Sequence, residues 1–208
     1  MTTLFTFLIS GIIFGLSSGI TPGPLLTLVI SETIRHGIRE GVKVAIAPLV
    51  TDIPIVLSSI IILTRLSDIQ PLLGVISMAG AGFLIYLGIE SLGFRGANVN
   101  SDKIKPRSLQ KGVIANFLNP SPYLFWVSIG APIVVKAMDI GLVSTLSFIV
   151  SFYVLLVGSK VMIAFATGRS RHFLKSKGYI YAIKILGIML LVFALLFLRN
   201  GLICFGLI

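Results

Sequence analysis

Residues 17–26 read SSGITPGPLL, inside an apolar run that otherwise has the length and character of a membrane-spanning helix. Pro22 and Pro24 flank Gly23. A proline removes a backbone donor, and its ring clashes with the carbonyl four residues earlier. Three breakers in a row free amides and carbonyls in a medium without water, and that is tolerated only against protein or a wet cavity. The apolar run from 4 to 31, continued to Thr33, is also too long for one straight crossing. The stretch therefore predicts two half-helices, about 4–20 and 24–36, joined at Pro22-Gly23-Pro24.

Composition sets the medium. The chain has 208 residues, 56% hydrophobic and 12% charged, with a mean hydropathy of +1.05. Soluble domains carry about 25% charged residues, so this chain is expected to be an integral membrane protein. Apolar segments fall at 4–31, 44–64, 72–93, 113–135, 142–167 and 180–198, each long enough to cross a hydrocarbon core of about 30 Å. The N-terminus MTTLFTFLIS has no basic region and no cleavage site, and reads as a retained first span.

Charge sets the orientation. Arg35, Arg39 and Lys43 lie between spans 1 and 2, and Arg95, Lys103, Lys105, Arg107 and Lys111 between spans 3 and 4. Arg169, Arg171, Lys175, Lys177 and Lys184 lie between spans 5 and 6. The positive-inside rule places these three loops in the cytoplasm and both termini outside. It also accounts for the net charge of +10 without invoking nucleic acid. His36 and His172 read as solvated residues of these loops.

The stretch 94–112, FRGANVNSDKIKPRSLQKG, reads as a solvated linker between two halves, 1–93 and 113–208, of one transporter domain. Three spans in each half force equivalent spans to run in opposite directions, a plan that puts a binding site at the interface of the halves. The expected fold is all-α and integral to the membrane. It has six transmembrane helices in two inverted three-helix halves, with spans 1 and 4 broken by prolines.

Span 4 carries the second break, in NFLNPSPYLFW, with Pro120 and Pro122. Asn116, Asn119, Ser121 and Tyr123 surround it, either lining a polar path or capping the broken helix. Asp52 lies eight residues past Val44, about 12 Å below the membrane edge at 1.5 Å per residue. An acid there is costly and marks a functional site, holding an ammonium group or a coupling proton. Lys160, in span 5, sits at a comparable depth, where it pairs with Asp52, lines the path or snorkels to the interface. Glu90 reads as an interfacial partner of Arg95.

Gly11, Gly15 and Gly19 give span 1 a smooth face for close packing, within the chain or across a homodimer. Trp126, Tyr86, Tyr179 and Tyr181 suit interfacial or packing roles. Cys204 is the only cysteine, which excludes an internal disulfide and a redox pair. No phosphate-binding loop, metal-ligand cluster or nucleophile–base pair is present, so neither an enzyme nor a cofactor is expected.

These residues resemble the LysE/RhtB family of amino-acid exporters. The likeness begins in GITPGPLLTLVISETIRHGIREGVK, continues through Asp52 and GAGFLIYLGIESL (80–92), and includes NFLNPSPYLFW. It departs at Ser121, where members often have lysine, and at Ala47-Pro48, where glycine is common. The resemblance implies export of amino acids or similar metabolites across the cell membrane, by antiport with protons. It assigns Pro22, Gly23, Pro24, Asp52, Asn119 and Pro120 to the transport region.

With the half-helix ends at Ser17–Thr21 and Asn116–Ser121, the expected path comprises Thr21, Pro22, Gly23, Pro24, Asp52, Asn116, Asn119, Pro120, Ser121, Tyr123 and Lys160. The expected partners are a small-molecule substrate, such as an amino acid, and membrane lipid. A transporter of metal ions or other small solutes, and a non-transporting scaffold subunit, are the alternative readings.

Overall fold

The computed structural model describes residues 2–65, 70–93, 106–170 and 177–207, and all its regular elements are helices. The first apolar run forms α1 (Thr2–Ile20) and α2 (Pro24–His36), bent by 60° at the intervening residues. With that pair counted as one span, six helical segments are long and apolar enough to cross a membrane. The chain is an all-α integral membrane protein.

The bend follows from local chemistry. Gly23 is extended (φ −171°, ψ 178°), and Pro24 takes the first position of α2, where its missing amide would have had no helical partner. Gly37 then turns the chain at φ 101° into α3 (Ile38–Ala45), and α4 (Ala47–Arg65) continues the second span with Pro54 inside it. A Cβ at Gly41 would collide with the Thr33 hydroxyl, so the hairpin between α2 and α3 closes only on glycine.

Helix α5 (Gln70–Leu92) is the third span. Helix α6 (Ser108–Phe117) begins inside the stretch expected to be a solvated linker. That expectation fails for its last residues. Ser108 is fully buried, and Gly112 packs against Val44 and Ala47. Polar composition misled there because Ser108 and Lys111 have buried partners. Residues 94–105, including Arg95, lie outside the described part of the chain, as does His172.

The fourth span breaks at Leu118-Asn119 and resumes as α7 (Pro120–Phe125), a π-helical turn (Trp126–Gly130) and α8 (Ala131–Ile140). Helices α9 (Leu142–Ser170) and α10 (Lys177–Cys204) are the last two spans.

Span 1 lies along α9, span 4 packs against α4, and α5 packs along α10. The glycine face of α1 is occupied inside the chain. Cβ atoms at Gly11 and Gly15 would strike the backbone of Phe148 and Phe152, and one at Gly19 the side chain of Ser159. Apolar side chains such as Ile13, Ile53, Met162 and Leu195 are exposed, as a lipid-facing surface requires. Tyr86 and Tyr181 are exposed too, whereas Trp126 is fully buried.

Two large apolar clusters fill most of the interior, and a small one joins Ile34 to Ile183 and Leu186. One of the large clusters gathers Leu28, Val29, Val44, Leu84 and Leu190, and the other surrounds Trp126 with Ile55, Phe148 and Phe152.

Candidate functional site

A cavity of about 400 Å³ lies where the two clusters meet, between the breaks in spans 1 and 4. Thr21, Pro22, Gly23, Pro24, Asp52, Asn116, Asn119, Ser121 and Lys160 all line it. Pro120 and Tyr123 do not line it; both are buried in α7.

The first break shapes the site through its unsatisfied backbone. The last α1 turn closes with the Thr21 amide on the Ser17 carbonyl (3.0 Å), and the Thr21 hydroxyl donates to the same carbonyl (2.6 Å). The next carbonyls, of Ser18 and Gly19, would need amides at Pro22 and Gly23. Pro22 has none, and Gly23 is extended. The Lys160 ammonium donates to both instead, at 3.0 and 3.1 Å. A cation at a helix C-terminus also meets the negative end of the helix dipole. On the other side of the break, no side chain caps α2, and Leu25 and Leu26 of its first turn line the cavity.

The second break is satisfied differently. The Asn119 side chain accepts from the Ser121 amide (3.0 Å) and caps α7, while Pro120 occupies its first position. The Tyr123 hydroxyl reaches back to the Phe117 carbonyl (3.0 Å). The Leu118 carbonyl lies against Gly80 of α5, where a Cβ would collide with it. The π-helical turn then sets Trp126 against the cavity, its ring packed over Gly130. Widened turns of this kind often occur at functional sites.

Asp52 projects from α4 into the same space, only 3% exposed. Asn116 Nδ2 donates to its Oδ1 (3.0 Å) and to Thr51 Oγ1 (2.6 Å), and the Tyr153 hydroxyl donates to Oδ2 (3.2 Å). Three helices thus hold one carboxylate. Lys160 and Asp52 share the cavity, but no ion pair within 4.0 Å joins them. The direct pair that their depth allows is replaced by the grip of Lys160 on the α1 carbonyls.

Sequence reasoning missed Thr51, Tyr153 and the aromatic wall of Phe125, Trp126, Phe152 and Phe197. It also missed a charged lattice at the end of the bundle where α2 ends and α6 begins. Glu32, fully buried, accepts from Ser108 Oγ (2.5 Å) and Lys111 Nζ (3.3 Å). Lys111 also reaches Glu90 (2.9 Å), and Glu90 accepts from Arg35 (2.9 Å). Among the described residues, Arg35 and Lys111 are the partners of Glu90; Arg95, the expected partner, lies outside them. His36 is not simply solvated; it lies 3.9 Å from Glu32. One signal was present. Leu25, Leu28, Val29 and Glu32 fall on one helical stripe, so Glu32 shares the buried face of α2.

The architecture is that of a multi-pass helical membrane protein whose interior holds a solute-sized cavity with a buried acid and a buried base. The family model described as LysE type translocator matches residues 16–201, and the chain belongs to that family. It is a membrane transporter. No curated protein matches the chain, and no solved structure does.

Proposed function

We propose that the protein exports amino acids or closely related small metabolites from the cytoplasm, in exchange for protons, by alternating access. The observation that carries this reading is the cavity between two broken spans, with Asp52 and Lys160 buried in its wall. Inverted halves place their site at such an interface. The packing of span 1 on α9 and of span 4 on α4 agrees with that plan.

In this mechanism Asp52 is the proton-responsive group. Burial disfavours its charge, while the donors from Asn116 and Tyr153 favour it. The open first turn of α2 and the Lys160 ammonium receive the anionic part of the ligand. The lattice of Glu32, Arg35, Glu90, Ser108 and Lys111 forms the cytoplasmic closure, since it ties α2, α5 and α6 together at the basic end of the bundle. Both termini then face outward, in the cell membrane, and no cofactor takes part. A divalent cation fits the cavity less well, because a hard cation needs several oxygen ligands and Asp52 is the one carboxylate among the described lining residues.

The test uses proteoliposomes loaded with a mixture of amino acids and given a pH gradient. The wild type is expected to release at least one of them in a gradient-dependent manner, and Asp52→Asn to lose that dependence. Gradient-driven efflux that is unchanged in Asp52→Asn removes Asp52 from coupling.

A further inference from the structure

We infer that the cavity selects amino acids with a single ammonium, a single carboxylate and an apolar side chain, and rejects dibasic and acidic ones. This rests on the reading of the cavity as the amino-acid site.

Charge matching carries the inference. Among the described lining residues, Asp52 is the one acid and Lys160 the one base, 3% and 4% exposed. In a membrane interior a charge without a counter-charge is costly. A zwitterion with an uncharged side chain brings one charge to match each. A second ammonium, or a second carboxylate, finds no second counter-charged side chain among the described lining residues.

Bonding capacity agrees. Asp52 Oδ1 accepts from Asn116 and, at 3.4 Å, from Thr51, and Oδ2 accepts from Tyr153. A carboxylate has about four acceptor positions, so these bonds leave one, on Oδ2, for a ligand ammonium. Lys160 spends two of its donors on the Ser18 and Gly19 carbonyls; an ammonium has a third.

One part of the wall suits an apolar side chain. Phe125, Phe152, Leu156, Phe193 and Phe197 contribute rings and a branched aliphatic group to the lining, while Ser18, Thr21, Asn116, Asn119, Ser121 and Asn200 add uncharged polar groups elsewhere. The volume of about 400 Å³ lies in the range of roughly 300–1,000 Å³ common for small-molecule sites. It leaves room for a leucine- or phenylalanine-sized ligand.

The experiment measures exchange of radiolabelled leucine, phenylalanine, lysine and glutamate in proteoliposomes holding the full chain. Leucine and phenylalanine are expected to exchange, with lysine and glutamate slower by about 100-fold or more, as a site with unmatched polar groups discriminates. Leu156→Glu supplies an answering carboxylate and is expected to raise lysine exchange at least tenfold relative to leucine. Phe193→Glu serves the same purpose if the first variant does not elute as a single folded species. Wild-type preference for lysine or glutamate over leucine overturns the inference and leaves amino-acid export standing. A folded glutamate variant that gains no lysine exchange also overturns it. Exchange of no amino acid at all removes the reading beneath it.

Discussion

At Lys160 one ammonium answers two carbonyls that Pro22 and Gly23 leave without helical donors. Lys160→Met keeps the length of the side chain and removes the donors. An unpartnered buried acceptor costs about 1–3 kcal/mol, and 1 kcal/mol shifts the melting temperature of a chain this size by about 2–4 °C. Lys160→Met is therefore expected to lower the thermal unfolding midpoint in detergent by several degrees, with Lys160→Arg nearer the wild type. Asp52 and Lys160 were legible in the sequence because an ionisable residue in an apolar span stands out against its neighbours. Their partners were not. Thr51, Asn116 and Tyr153 are ordinary residues for such spans, and Tyr153 meets Asp52 only after the chain has folded across 101 positions. Glu32 escaped notice for the opposite reason, since it sits among Arg35, His36 and Arg39 and reads as part of a wet loop.

Among the helices, the contact of α1 with α9 is sensitive to a single methyl group at three glycines, Gly11, Gly15 and Gly19. A Cβ at Gly15 would meet the Phe152 backbone, which cannot swing aside as a flexible side chain can. Gly15→Val is expected to cost about 1–3 kcal/mol, the scale of overpacking a close contact, seen as a lower melting temperature and reduced yield of folded protein. Gly158 is the control, because a Cβ added there would have nothing within 4 Å, and Gly158→Ala is expected to behave as the wild type. The half-helices of span 1 were legible almost to the residue, because proline and glycine act on the backbone locally. The start of α6 and the π-helical turn at Trp126–Gly130 were not. The first depends on burial of Ser108 against Glu32, and the second on Trp126 packing against Gly130, both tertiary effects.

For the whole molecule, the charged lattice and the cavity make opposing demands. The lattice joins α2, α5 and α6, and in the proposed mechanism opening a path from the cytoplasm requires them to part. Lys111→Gln removes the cation shared by Glu32 and Glu90 and is expected to shift the population toward the cytoplasm-open state. A cysteine at Ser121, in a Cys204→Ser background, reports that shift. Labelling by a water-soluble maleimide from the cytoplasmic face is expected to rise several-fold in Lys111→Gln. An unchanged rate assigns the lattice a purely structural role. The count of spans and their apolar faces followed from composition and periodicity. A site between the two breaks was expected from the inverted halves, but its aromatic wall was not, since that depends on how α1, α4, α7 and α9 pack, which no single segment encodes.

The grip of Lys160 on α1 has a mechanical side. The same nitrogen that would receive a ligand's carboxylate also fastens the elbow of span 1. Cargo that draws the nitrogen inward slackens the fastening on Ser18 and Gly19, and the angle between α1 and α2 becomes free to change. In the proposed mechanism the empty transporter keeps its elbow clasped, and arrival of cargo loosens it.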